Sequence, residues 1–292
     1  MPDVEEPPLR PEDAVHLLPL EVGPRTYVDI FRAAIREEVA EFLGTAMILL
    51  FGAGVQCQVQ LYGAGNYATC CLGWAAGVAV GAYIAGPTSG GHINPAVTIS
   101  LALFRRFPKN KVPKYILAQV LGAMFGACTI YFIYRDTIVI LDPNSTSPLF
   151  GSNSAAGSFV THPASSISGF TAWVCEFGAT AILVGAIFAL TDARNPTGFS
   201  VPLGLFILIL GIGASFGAQT GYAINPARDF GPRIALTLLG YGGEIWTHDA
   251  VYWLRVPWFA CLSGGVFGGF VYDFLLNTTD QTVFNNPHIE LA

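Results

Sequence analysis

Apolar residues run through this chain in long, nearly unbroken blocks, without the spacing that would mark one wet face of a helix or strand. Six blocks lie at approximately 38–59, 71–88, 112–134, 170–190, 200–220 and 251–276. Each is near the ~20 residues that cross the hydrocarbon core of a bilayer as a helix. Two shorter apolar pieces, about 94–104 and 225–239, are too short to span, and both open on Asn-Pro-Ala. Proline is tolerated in a first helical turn, where its missing N–H would have had no partner anyway. The pattern therefore predicts two half-helices whose preceding loops dip into the membrane. Such backbone persists at depth only where protein buries it or where it lines a water-filled cavity. The expected fold class is an all-α membrane protein of six transmembrane helices plus two re-entrant half-helices.

The blocks repeat. Ala40-Glu41-Phe42-Leu43-Gly44-Thr45-Ala46 matches Cys175-Glu176-Phe177-Gly178-Ala179-Thr180-Ala181, and His92-Ile93-Asn94-Pro95-Ala96 matches Ala223-Ile224-Asn225-Pro226-Ala227. The step from Glu to Asn is 53 residues in the first half and 49 in the second. The third span of each half carries a glycine pair suited to close helix packing, Gly122 with Gly126 and Gly264 with Gly268. Three spans per half is an odd number, so the second copy must enter from the opposite face. This predicts an inverted repeat, over approximately 36–134 and 170–276, with a permeation site near the midplane.

Composition agrees with lipid as the main solvent. Of 292 residues, 52% are apolar and only 12% charged, and the mean hydropathy is +0.51. The charged share is about half that of a soluble domain. A net charge of −6 gives a nucleic-acid partner no electrostatic support. Arg10, Arg25, Arg32 and Arg36 precede the first block, Arg105, Arg106, Lys109, Lys111 and Lys114 share one connection, and Arg194 stands in another. With six spans these segments fall on one side, which the positive-inside rule makes cytoplasmic together with both termini. The long connection 135–168 is then outside, and Asn144-Ser145-Thr146 in it is a candidate glycosylation site. The first thirty residues hold no apolar run of the signal-peptide kind, so the first span is expected to act as its own membrane signal. Residues 1–35 read as a largely disordered cytoplasmic arm, rich in proline up to Pro24. Its apolar piece 14–20 is either an inert stretch or one that docks beneath the membrane-embedded part and regulates it. Residues 277–292 read as a cytoplasmic tail. The six cysteines show no metal-binding spacing. They read as packed thiols, with a disulfide between Cys57 and Cys70 or Cys71 as the alternative.

The residues with chemical capacity sit at equivalent places in the two halves. Facing half-helices put two positive dipole ends and their unpaired N–H groups in the middle of the membrane, which disfavours cations and protons. Asn94 and Asn225 can cap those helices and still offer amide N–H groups to a passing oxygen. Glu41 and Glu176 are carboxylates in apolar blocks, where a charge is costly. Either they accept hydrogen bonds from the re-entrant loops or they couple transport to protons, and their symmetric placement favours the first. His92 reads as a loop-packing residue. Arg228 offers a permanent positive charge and several donors beside the second Asn-Pro-Ala. Asp229, its chain neighbour, is better placed to pair with Arg233 one turn on. No nucleophile–base pair, metal cluster or phosphate loop suggests an enzyme or a cofactor.

With these motifs in place, the chain resembles the major intrinsic protein superfamily over roughly residues 36–276. Asn225-Pro226-Ala227-Arg228-Asp229 is similar to the signature of its aquaglyceroporin, or glycerol-facilitator, branch, and Pro257 in the last span fits that branch. The resemblance implies a six-helix channel with two half-helices, assembled as a homotetramer in the plasma membrane with one pore per subunit. The resemblance further implies that such a channel passes glycerol and water while excluding ions and protons. It also implies a constriction near the outer mouth formed by Trp74, Gly213, Tyr222 and Arg228. In that expectation Gly213 supplies width, Trp74 and Tyr222 form walls for the carbon edge of a polyol, and Arg228 takes its hydroxyls from the other side. Trp74 has an alternative as an interfacial anchor. Tyr222 stands where bacterial glycerol facilitators tend to have Phe, which leaves the balance of water against glycerol open. A proton-coupled transporter and a structural junction protein are the competing functions.

Overall fold

The computed structural model describes residues 26–141, 149–151, 154–195 and 200–285, and the chain divides into two units, 1–35 and 36–292. Asn144 and the apolar piece 14–20 lie outside the described residues. In chain order the α-helices are α1 (Tyr27–Tyr62), α2 (Tyr67–Ser89), α3 (Pro95–Phe104), α4 (Val112–Ile133), α5 (Arg135–Leu141), α6 (Gly169–Leu190), α7 (Val201–Thr220), α8 (Pro226–Leu238), α9 (Glu244–Trp253) and α10 (Cys261–Leu275). Among the described residues, six stretches are long and apolar enough to cross a membrane: α1, α2, Lys109–Ile133, α6, α7 and Glu244–Leu275. The two half-helices are α3 and α8. Among the described residues there is no strand.

The first helix begins earlier than its apolar block. Thr26 and Asp29 exchange hydrogen bonds, Asp29 N donating to Thr26 Oγ1 at 3.2 Å and Thr26 N to Asp29 Oδ2 at 2.9 Å. This reciprocal cap starts a helix at Tyr27, so residues 27–35 are helical, contrary to the disordered arm expected there. The helical stretch of the last span reaches back to Glu244, before its expected start near 251, and the added part joins it through a break. His248 is extended, and Asp249, Ala250 and Val251 take left-handed φ of 46°, 49° and 63°. Arg255 holds this bend by donating to the carbonyls of Ala250 and Asp249, both at 2.8 Å. A wider π-turn, Leu254–Ala260, surrounds Pro257, which has no N–H to continue the α ladder.

Packing within residues 36–275 follows the repeat. On α4, a methyl group at Gly122 would collide with the Phe42 carbonyl of α1; on α10, one at Gly264 would collide with the Phe177 carbonyl of α6. Gly126 and Gly268 face Ala46 and Ala181 in the same way. Small residues thus bring these backbones together, which is how helices associate where lipid removes the hydrophobic drive. The halves also interlock. The second spans α2 and α7 pack on each other, α8 packs on α4 of the other half, and α3 packs on α10 of the other half. Gly231 of α8 fits against the backbone of Val120 and Met124, and Gly265 of α10 against Ala96 and Ser100. Large apolar side chains such as Phe125, Phe132, Phe170 and Phe259 stay exposed on the outer faces, as expected of helices solvated by lipid.

The segment after α10 is not a loose tail as far as Asn285. Residues 276–285 fold back, with Val283 N donating to Phe104 O at 3.3 Å and the Phe284 ring 6.0 Å from that of Phe104. Contacts of the Phe284 ring with Phe104, Phe270 and Phe274, and burial of Thr282, supply the order that the polar composition did not suggest.

Candidate functional site

Each half-helix is preceded by a loop whose amides have no helical partner, and each loop is held by one carboxylate. Glu41 Oε1 accepts from Ser89 Oγ at 2.6 Å and His92 N at 2.9 Å, and its Oε2 from Ile93 N at 2.6 Å and Gln119 Nε2 at 2.7 Å. Glu176 Oε1 accepts from Thr220 Oγ1 at 2.6 Å and Ala223 N at 2.7 Å, and its Oε2 from Ile224 N at 2.8 Å and the Cys261 thiol at 3.5 Å. Both carboxylates are fully buried. Four donors apiece satisfy them as acceptors, an arrangement that fits the loop-holding alternative. Serine, histidine, isoleucine and glutamine of the first half are replaced one for one by threonine, alanine, isoleucine and cysteine in the second.

These bonds orient the loops. In a planar trans peptide the N–H and the preceding C=O point in opposite directions. The His92 and Ile93 amides face Glu41, so the carbonyls of Gly91 and His92 face away from it; likewise the carbonyls of Tyr222 and Ala223 face away from Glu176. All four residues line one cavity of about 670 Å³. Ile48, Val78, Leu183 and Leu205 are among its apolar walls. The path thus has carbonyl acceptors on one flank and hydrocarbon on another. The loops carry strain: Ile93, Tyr222 and Ile224 have φ of 43°, 38° and 41°. Left-handed backbone of this kind costs on the order of 1–3 kcal/mol per residue outside glycine, and the carboxylate bonds offset it.

The two Asn-Pro-Ala turns meet. Asn94 caps α3 by accepting from Ala96 N at 2.9 Å, and Asn225 caps α8 by accepting from Ala227 N at 3.0 Å and Arg228 N at 3.2 Å. Pro95 and Pro226 are the first residues of their helices. Each Asn also donates across the repeat, Asn94 Nδ2 to Ile224 O and Asn225 Nδ2 to Ile93 O, both at 2.8 Å. One amide hydrogen of each is therefore committed to the opposite loop, and the second remains for a passing oxygen. Both asparagines line the cavity. His92 packs against the rings of Phe107 and Tyr115, at 4.5 and 5.1 Å, with Nδ1 3.2 Å from Thr98 Oγ1. Among the described residues, no three His, Cys, Asp or Glu side chains are grouped to hold a metal ion.

At one end of the cavity Trp74, Tyr222 and Arg228 come together. Their arrangement differs from the expected one in two respects. The Arg228 guanidinium does not face the aromatic walls from across the path. It stacks on Trp74, 3.7 Å from the ring centroid, and Nη1 donates to Phe159 O at 3.0 Å. Cation–π attraction in a desolvated site accounts for this. Gly213 does not open the path either. With Gly217 one turn on, it clears the seat of the Tyr222 ring: an added methyl at Gly213 would lie 3.0 Å from Tyr222 Cζ, and one at Gly217 would strike the ring. The Gly213 carbonyl accepts from Tyr67 Oη at 2.6 Å. Gly52 does the same for Trp74, whose ring fills the space a Cβ would need. Trp74 Nε1 and Tyr222 Oη are buried with no protein partner.

Asp229 pairs with Arg233, as the helical spacing suggested, at 2.6 Å. It also accepts from Thr161 N at 2.8 Å and Thr161 Oγ1 at 2.6 Å, while Arg233 donates to Thr161 O and Ile245 O. This buried pair ties the connection carrying Phe159 and Thr161 to α8, and through Phe159 it fixes Arg228. The six cysteines are all free thiols, so the alternative disulfide does not form. Cys70 instead faces Gln56 Oε1 at 3.2 Å.

Crossed half-helices, two carboxylate-held loops and a lined cavity coincide with a family-wide match. The model of the major intrinsic protein family covers residues 31–272. The chain belongs to that family. Among similar major intrinsic proteins, Aquaporin-7-2 of Laccaria bicolor is 43% identical over 261 residues, which is 86% of this chain and 78% of that one. Probable aquaglyceroporin-2 of Gibberella zeae is 45% identical over 260 residues, 88% of this chain and 76% of that one. The X-ray structure of the aquaglyceroporin from Plasmodium falciparum superposes with a TM-score of 0.74 at 34% identity, over 82% of this chain and 96% of that one. As a major intrinsic protein with six apolar helices of spanning length, the chain is an integral membrane protein. Sequence reasoning within the family pattern missed Gly52, Gly217, Phe159 and Thr161. Gly217 had a legible signal, the four-residue step from Gly213. The other three act through contacts distant in the chain.

Proposed function

We propose that this chain is a passive channel for glycerol and water that excludes ions and protons. The carrying observation is the cavity itself: it begins at Trp74, Tyr222 and Arg228 and continues past Asn94 and Asn225 along loops with inward carbonyls. A neutral solute with hydroxyl groups and a carbon edge matches acceptors on one flank and hydrocarbon on another. A cation meets Arg228 and two positive helix ends. The relatives named aquaglyceroporin and the superposing aquaglyceroporin structure support the same permeants. At the narrow end, Arg228, the Tyr222 hydroxyl and the Trp74 indole N–H supply hydrogen bonds that replace water lost by the solute. Gly213 acts indirectly, by seating Tyr222. Asp229 holds the connection behind Arg228, and Pro257 shapes the last span. Glu41, Glu176 and His92 hold the loops.

We further propose that the channel domain covers residues 36–276, that it assembles as a homotetramer in the plasma membrane, and that both termini are cytoplasmic. The basic connection 105–114 supports that orientation. Stopped-flow light scattering on liposomes carrying the full chain tests the function: glycerol flux should exceed that of bare lipid and show no uphill accumulation under a pH gradient. Flux equal to bare lipid would overturn the proposal. Water flux without glycerol flux would favour a water pore narrowed by Tyr222.

A further inference from the structure

The cavity has a second end. The half-helix α3 is ten residues long between its caps Asn94 and Arg105, which places Arg105 about 16 Å from Asn94 along its axis. α3 and α8 leave the crossed asparagines in opposite senses, so this end lies away from Arg228. Its walls include Arg105, Arg106, Asp280 and Gln281. Two of these come from the folded-back segment 276–285, which lies outside every motif used so far.

We propose that this segment completes the permeation path as a second recognition collar, in which Arg106, Asp280 and Gln281 hydrogen-bond a neutral polyol as it passes the end opposite Arg228. The proposal rests on the reading that the cavity conducts such a solute.

Beyond one bond each at Arg106 and Gln281, the segment is anchored by groups other than the three proposed. Arg194 donates to Thr278 Oγ1 at 2.8 Å and to Leu276 O at 3.0 Å. Asn285 Nδ2 donates to Asn277 O at 2.8 Å and Thr279 O at 2.9 Å. Phe284 packs among Phe104, Phe270 and Phe274. Arg105 is itself held rigid. Its Nε and Nη2 bond Asp273 at 3.0 and 2.7 Å, and its guanidinium lies 4.6 Å from the Phe188 centroid.

What remains is a set of unspent hydrogen-bonding groups on the cavity wall. Gln281 Oε1 accepts from Arg105 Nη1 at 3.2 Å, which leaves its NH₂ to donate. Arg106 Nη2 donates to the Asp280 backbone carbonyl at 2.7 Å, which leaves its other N–H groups. None of the ion pairs among the described residues uses the Asp280 carboxylate. Donors and an acceptor therefore stand together, with one positive and one negative side chain. That combination suits a hydroxylated solute, which both donates and accepts, better than an ion of either sign. Water, with a smaller desolvation cost per molecule, should depend on it less.

The test compares glycerol and water permeabilities of the full chain in liposomes. In the double variant D280A/Q281A, glycerol permeability should fall about fivefold, the rate equivalent of one neutral hydrogen bond, while water permeability changes less than about twofold. Asp280→Asn, whose amide oxygen still accepts, should keep glycerol permeability within about twofold of the parent. Phe284→Ala, which removes the segment's aromatic contacts while its hydrogen bonds remain, should lower the glycerol-to-water ratio in the same direction as the double variant, by less. An unchanged or raised ratio in the double variant overturns the collar, as does a loss in Asp280→Asn equal to that of the double variant. If the parent chain itself conducts no glycerol, the functional reading fails; if parent and double variant conduct alike, only the collar fails.

Discussion

Glu176 accepts four hydrogen bonds, two of them from backbone amides that have nowhere else to go. Replacing it with Ala leaves the Ala223 and Ile224 N–H groups buried and unpaired, at about 1–3 kcal/mol each, and releases a loop already strained at Tyr222 and Ile224. We expect Glu176→Ala to lower the melting temperature in detergent and abolish glycerol flux. Glu176→Gln, which retains an acceptor oxygen, should fall between. An unchanged melt in the Ala variant would mean that the loop finds other acceptors. His162, outside the spans, gives a pH dependence. Its ring stacks on Phe150 at 4.1 Å, and Phe150 in turn meets His248 at 4.7 Å. Burial pushes its pKa down, opposed by its bond to Pro163 O, while His248 and Arg233 push it lower and Asp229 raises it. A base with a lowered folded pKa binds fewer protons folded than unfolded. Its contribution to stability is thus full above about 6.5 and is lost as pH falls from there through the depressed value. Melting curves from pH 7 to pH 5 should slope downward in the parent and less so in His162→Gln; equal slopes would remove His162 as the cause. At this scale the carboxylates were legible because charge in an apolar block is conspicuous. Their donors were not, because Ser89, Gln119 and Cys261 carry no signal of their own.

Between helices, glycine decides how closely backbones approach. Gly264 admits the Phe177 carbonyl, so Gly264→Val forces α10 away from α6. Overpacking costs about 1–3 kcal/mol where side chains can adjust, and here the obstacle is backbone, so the upper part of that range or beyond is expected. Thermal denaturation and size-exclusion profiles would show it, with Gly178→Ala, where an added methyl meets nothing, as the neutral control. Equal melts for the two variants would rule out close packing at Gly264. The glycine pairs and the span lengths were readable from the chain because both follow from one-dimensional spacing. The early start of α1, the short helix α5 and the bend at His248–Val251 were not. They depend on a two-residue cap, on burial of Ile138, and on Arg255 reaching back to two carbonyls.

Across the whole channel unit, the halves are joined by Asn94 and Asn225 donating to each other's loops. Each bond should weaken when either turn is distorted. A double-mutant cycle of Asn94→Ala and Asn225→Ala should therefore show a coupling of about 0.5–3 kcal/mol. Additive losses in melting free energy would indicate that the halves hold their loops independently. The sequence by itself determined the inverted repeat, the membrane solvent, the half-helices and the identity of the central residues, since these are matters of block length, charge scarcity and repeated spacing. Only the tertiary structure decided that Arg228 lies on Trp74, that Gly213 and Gly217 seat Tyr222, and that residues 276–285 reach the cavity. Each of those depends on which empty volume a distant side chain fills, and a void has no sequence of its own.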